Sequence, residues 1–126
     1  MNNLESILVA VDLDERSADY VLESARQLAP ETPIEVVHVL ERSAYYNLGD
    51  PSAAVIDDLQ GRMRREVSDY LAKLAERYRA ERHTLLEGHA ASVIQQHAEE
   101  RGHDLIILGT HGRHGIKRLL GSTANS

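Results

Sequence analysis

The chain has 126 residues, 42% of them hydrophobic, with 14 Lys and Arg against 20 Asp and Glu for a net charge of −6. That length suits one domain burying about 65–70% of its unfolded surface, and the acidic balance removes any general attraction to nucleic acid or anionic lipid. With no Cys, the chain excludes a disulfide framework, a thiolate nucleophile and a Cys-based zinc site; without a basic and apolar leader or a long apolar run, the expectation is a cytoplasmic protein with no membrane partner.

The apolar content is aliphatic, with five Tyr and no Phe or Trp, which suits a parallel sheet covered by helices. Residues 6–11 form a short apolar run rich in β-branched side chains and read as a buried strand ending at Asp12. Asp14 is a suitable N-cap for a helix whose inner face is Ala18, Val21, Leu22, Ala25, Leu28 and Ala29, and Pro30 stops it. Ile34–Leu40 is the second strand, and residues 47–51 carry loop and helix-start signals.

A long helix follows, with Val55, Leu59, Met63, Val67, Tyr70, Leu71, Leu74 and Tyr78 in one stripe and a solvated charged face opposite. Residues 83–87 make a weaker third strand. Gly88 then precedes a helix with an inner face of Ala91, Ile94, His97 and Ala98, which Gly102 closes as a C-cap. Residues 104–108 make the fourth strand, and another helix is expected to start near Gly121 or Ser122. Alternation of this kind calls for a single Rossmann-like α/β domain, a parallel sheet with right-handed crossovers and helices on both faces. Ligands of such folds bind at the carboxyl ends of strands, where strand order reverses. Asp12 and Gly109 both stand at carboxyl ends. A fifth strand is expected to be absent, because the sequence stops soon after the last helix signal.

The segment after the fourth strand carries the most chemistry. Glycines there let backbone approach a ligand, and Gly121–Ser122–Thr123 at a helix start offers free N–H groups to an anion. Together with residues 7–12 (Ile-Leu-Val-Ala-Val-Asp), Val37–His38–Val39, Gly88 and residues 104–112 (Asp-Leu-Ile-Ile-Leu-Gly-Thr-His-Gly), this chain resembles the universal stress protein family of the UspA type over essentially its whole length.

That resemblance implies residues 1–126 as one universal stress protein domain, expected to lack its C-terminal strand, and a sheet of order 3-2-1-4(-5). It also implies a homodimer acting in stress response or signalling, and in some members ATP or AMP, with Mg as a companion ion. Carried onto this chain, Gly109, Gly112, Gly121, Ser122 and Thr123 hold phosphates and ribose, Ala10 and Asp12 face the adenosine, and the Val39 backbone meets adenine. One departure stands out: eight residues, 113–120, separate Gly112 from Gly121 where the ATP-binding pattern has nine. The shorter spacing resembles the branch regarded as not binding ATP, so a nucleotide cradle and a merely tight glycine loop stand side by side.

Other candidates have bland counterparts. Asp12 is equally a cap for the turn that follows. His111 and His114 lack a carboxylate or Cys to complete a metal set, so no metal site is expected, and with Arg113, Lys117 and Arg118 they read as a basic rim or a solvated loop. His38 reads as a hydrogen-bonded core histidine, His97 as the edge of a helix–sheet contact, and Ser122 and Thr123 as helix caps. The chain lacks Ser-Gly-Gly-x-Asp, His-x-Gly-His, Walker-type and Gly-x-Gly-x-x-Gly motifs, so no catalytic residue is assigned. Three functions remain: a non-enzymatic nucleotide-binding stress protein, an interaction module without nucleotide, and a weak ATPase.

Overall fold

The computed structural model describes residues 4–41, 53–109 and 116–120, with the backbone alone at 53–56 and 116–120. In chain order these are β1 (Ile7–Ala10), α1 (Glu15–Leu28), β2 (Ile34–Leu40), α2 (Ala53–Arg77), β3 (Arg82–Glu87), α3 (Ala90–Arg101), β4 (Leu105–Gly109) and β5 (Ile116–Leu120). The sheet order is β3-β2-β1-β4-β5, and the first four strands run parallel. Central β1 fixes the register, with Ile7 opposite Ile34 on one side and Leu105 on the other.

Because successive side chains alternate across the sheet, the apolar runs feed two cores. On one face Ile7, Val9, Val36 and Ile107 pack with Val21, Leu22 and Ala25 of α1 and with Val67, Leu71 and Leu74 of α2. On the other, Leu8, Val37 and Ile106 meet Ala98 of α3. Each fully buried aliphatic side chain contributes about 1.5–3 kcal/mol relative to exposure, so among the described residues the first face, with more of them, carries most of the apolar stabilisation.

Local sequence explains the helix ends. Asp14 caps α1 through a 3.1 Å hydrogen bond from Arg16 N–H to its Oδ1, satisfying one of the first-turn donors. Gly102 closes α3 in the left-handed conformation at φ 74°, which glycine adopts without a Cβ clash. Arg26 binds the ends of two helices at once, donating from Nε to Tyr78 O at 2.9 Å, from Nη2 to Arg79 O at 2.8 Å and from Nη1 to Thr32 O at 2.7 Å. Leu28 departs from the expected inner face of α1 and is exposed, as is Ala91 on α3. Both lie in the terminal turn of a helix.

The expectation that a fifth strand is absent is corrected by β5. Ile116–Leu120 pairs with β4, Leu105 opposite Leu120 and Gly109 opposite Ile116, and the pairing is antiparallel. The connection, residues 110–115, is too short for the crossover of about a dozen residues that a parallel neighbour requires. A hairpin return is the arrangement this length permits, and it covers the apolar edge that β4 would otherwise expose. The helix expected near Gly121 or Ser122, and the loop signals at 47–51, lie outside the described residues.

Candidate functional site

At the carboxyl ends of β1, β2 and β4 lies an open crevice of about 720 Å³, within the range of small-molecule sites. Its described walls include Ala10, Asp12, Ser17, His38, Val39 and Gly109. Four residues singled out from the sequence, Ala10, Asp12, Val39 and Gly109, therefore share one space. The other four, Gly112, Gly121, Ser122 and Thr123, lie outside the described residues, as do His111, Arg113 and His114.

The turn that leaves β1 forms the floor, and hydrogen bonds from other elements hold it. Val11 N donates to Val37 O at 2.9 Å, continuing the ladder to β2. His38 Nδ1 lies 2.7 Å from Val11 O, and Tyr70 Oη donates to Asp12 O at 3.0 Å from across α2. Burial, with the Asp12 carboxylate next in weight, pushes the Tyr70 hydroxyl up to about 12, so it remains a donor throughout the physiological range. Asp12 Oδ1 accepts from Asp14 N at 3.1 Å. That bond is the turn-capping role expected of an acidic residue here, and it fixes the carboxylate at the crevice wall.

Gly109 has a packing reason of its own. A Cβ at this position would stand 2.9 Å from Val21 Cγ2 and 3.8 Å from Ser17 Oγ, so α1 closes onto β4 only because residue 109 has no side chain. Ser17 is buried against it at 8% exposure and lines the crevice. The described polar side chains in the lining are Asp12, Ser17, His38 and Glu41, with neither Lys nor Arg among them. Acceptors thus dominate the described part of the crevice.

A second polar cluster occupies the opposite, amino end of the sheet. Glu35 on β2 is 1% exposed, and its carboxylate accepts from Thr84 Oγ1 at 2.6 Å, His97 Nε2 at 2.9 Å and His103 Nε2 at 2.8 Å. Arg101 Nε stands 3.8 Å away. Burial alone raises a carboxyl, yet the hydrogen bonds from His103, Thr84 and His97 override it and hold Glu35 down to about 2, from an ordinary 4.5. His103 Nδ1 lies 3.1 Å from Ser6 Oγ, which extends the chain of contacts to a hydroxyl. It is nevertheless poorly built for nucleophilic chemistry, because the N–H groups of Glu5 and Ser6 both donate to Asp104 Oδ2, at 2.6 and 3.1 Å, instead of facing an oxyanion. The cluster binds α3 and the start of β4 to β2. Among the described residues no group of three or more His, Asp or Glu side chains is arranged to hold a metal ion.

Sequence reasoning placed His38 as a hydrogen-bonded histidine and His97 at the edge of a helix–sheet contact; the structure gives His38 the Val11 carbonyl, and His97, on α3, reaches Glu35 on β2. It missed Tyr70, Ser17 and Glu35 as polar participants. A Tyr in an otherwise aliphatic stripe signals a hydroxyl in need of a partner, and a Glu within an apolar strand signals a compensated charge. Both signals stand in the sequence, but the partners are separated by 58 residues for Tyr70 and Asp12 and by 68 for Glu35 and His103.

Comparisons with known proteins agree with one another. The model of the universal stress protein family matches residues 3–126. The chain is 33% identical to universal stress protein A homolog 2 of Coxiella burnetii, covering 100% of this chain and 88% of the relative. It is 34% identical to homolog 1 of the same organism, covering 95% and 85%. Among solved structures it is similar to the hypothetical protein MJ0577, with a TM-score of 0.72 and 17% identity over 87% of this chain and 77% of that one. Universal stress protein UspA from Lactobacillus plantarum gives 0.67 and 18%, over 99% and 90%.

Proposed function

The chain belongs to the universal stress protein family, and from that premise we propose that it serves stress response as a non-enzymatic binding protein, holding ATP or AMP in the crevice at the carboxyl ends of β1, β2 and β4. The observation that carries this reading is convergence: Ala10 and Asp12 at the end of β1, Val39 of β2 and Gly109 of β4 line one crevice of about 720 Å³. The acceptor-rich wall suits the neutral, donor-bearing adenosine end of the ligand. The charged end then falls to backbone donors of the glycine segment, Gly112, Gly121, Ser122 and Thr123, with Mg as a counter-ion for ATP. The same reading has the protein cytoplasmic and homodimeric, with the dimer or a further protein partner as its output.

One observation favours a second reading, an interaction module without nucleotide. Contact with Val21 already accounts for Gly109, so the first glycine of the segment needs no ligand to explain it. Denaturing the freshly purified protein and identifying released nucleotide separates the two. Release of ATP or AMP in near-stoichiometric amount supports the first reading, and its absence together with no uptake of added ATP leaves the second. Steady-state hydrolysis by the wild type and Asp12→Ala decides the weak-ATPase alternative: turnover unchanged in the variant identifies a contaminant.

A further inference from the structure

We propose that Ser6 is a modification site, an acceptor for a small acyl group delivered by an acyl phosphate, with His103 as its base and Glu35 as the positioning residue. The site lies at the amino end of the sheet and is independent of the nucleotide reading. Two contacts in series carry it. Glu35 Oε1 stands 2.8 Å from His103 Nε2, and His103 Nδ1 stands 3.1 Å from Ser6 Oγ. Glu35 is ionised across the physiological range and only accepts, so Nε2 carries the imidazole proton. The Nδ1 lone pair of the neutral ring then faces the hydroxyl, the arrangement in which an imidazole takes the proton of an attacking oxygen. The contact from Ser6 Oγ to Gly102 O, at 3.5 Å, is the longer of its two. His97 Nε2 and Thr84 Oγ1 hold the other carboxylate oxygen, at 2.9 and 2.6 Å, and so fix the orientation of Glu35.

Ser6, His103 and Glu35 all line one open pocket of about 100 Å³, room for an acetyl-sized group and too small for a drug-sized ligand. Ser6 is half-buried there, while Arg82, Arg101 and Glu81 are exposed at the rim. The charge of Glu35 is met by its three hydrogen bonds, so the rim is left with a net positive charge. It suits a donor whose leaving group is an anion, since guanidinium pairs closely with phosphate. In the step, Ser6 Oγ bonds to the acyl carbon as its proton passes to His103 Nδ1. The acyl C–O bond breaks, and phosphate leaves with the electron pair and takes up the proton. The products are an ester on Ser6 and inorganic phosphate. The N–H groups of Glu5 and Ser6 remain committed to Asp104 Oδ2, so neither stabilises an oxyanion. Only a donor that brings its own activated leaving group reacts, and the ester is not turned over.

The test incubates the folded chain with acetyl phosphate and follows acetylation of Ser6 and Ser92 by peptide mass mapping. Ser92, exposed on α3, is the comparator within the same molecule. Ser6 is expected to react about a hundredfold faster than Ser92, the lower end of what a positioned general base supplies. His103→Gln should bring Ser6 down to the rate of Ser92, with circular dichroism melts establishing that the variant is folded. Wild-type chain unfolded in urea makes the same comparison without a substitution, and there the two serines should react alike. As pH rises, the rate at Ser6 should level off once the imidazole is neutral, whereas an unassisted hydroxyl keeps gaining with hydroxide. Equal rates at Ser6 and Ser92 in the folded wild type overturn the site. A preference for Ser6 that survives His103→Gln or urea, or a rate that climbs with hydroxide without levelling, overturns the role of His103. A phosphoryl group found on Ser6 in place of acetyl overturns the assignment of an acyl acceptor.

Discussion

Replacing Glu35 by Gln is expected to remove a large part of the stability of the fold at pH 7. The carboxylate is almost wholly buried and accepts from His103, His97 and Thr84; a neutral amide keeps one acceptor oxygen and turns an NH₂ toward groups that already donate. Breaking a buried, hydrogen-bonded charge cluster by removing one member costs about 3–5 kcal/mol, against a total of roughly 5–15 kcal/mol for a domain. The pH dependence supplies an independent magnitude. Glu35 titrates at about 2 when folded against 4.5 ordinarily, which corresponds to at most about 3 kcal/mol. Because the folded value is depressed, that contribution is fully present above about pH 4.5 and fades as pH falls toward 2. Urea denaturation of wild type and Glu35→Gln at pH 7, 4.5 and 3 should therefore show a gap of about 3 kcal/mol that narrows steadily at the acid end. A gap below about 1 kcal/mol at pH 7, or one that stays constant down to pH 3, refutes the assignment of Glu35 as a compensated buried charge.

Three further outcomes follow from named contacts. Gly109→Ala should cost about 1–3 kcal/mol by overpacking, because its Cβ meets Val21 Cγ2 at 2.9 Å; thermal melts of Gly109→Ala with Val21→Ala should recover part of that loss, and simple additivity would count against the contact. Tyr70→Phe deletes the bond to Asp12 O, for about 1 kcal/mol of stability, and should weaken ATP several-fold in titrations, since the turn it holds lines the crevice. Arg26→Lys keeps a charge but cannot reach Tyr78 O, Arg79 O and Thr32 O together, so chemical denaturation should register about 1–2 kcal/mol.

The strand and helix order was legible because it rests on local signals. The apolar run at Ile34–Leu40, the Asp14 cap and the glycine at 102 each act within a few residues of themselves; the parallel direction of the first four strands follows from their alternation with helices, whereas their order, β3-β2-β1-β4, was what the family resemblance implied. The return of β5 was not legible from hydrophobic pattern, since Ile116–Leu120 alternates too little to declare a strand, and only the length of the preceding connection restricts its direction. For the crevice, strand ends announced Asp12 and Gly109. Pattern gave no pairing for Tyr70 with Asp12, or for Glu35 with His97 and His103, because those contacts join residues far apart in sequence and are created by packing alone. Gly109 is instructive in the other direction: its sequence context suggests a ligand cradle, and the fold adds a helix contact that the same glycine must also satisfy.

Isothermal titration of nucleotide-free protein with ATP and Mg at pH 8 tests the central claim most directly. Saturable binding at one nucleotide per chain, abolished or strongly weakened by placing a bulky side chain in the crevice with Ala10→Phe while the variant still melts cooperatively, is the predicted result. No heat above dilution with the wild type, or binding unaffected by Ala10→Phe, would contradict the assignment of this crevice as a nucleotide site.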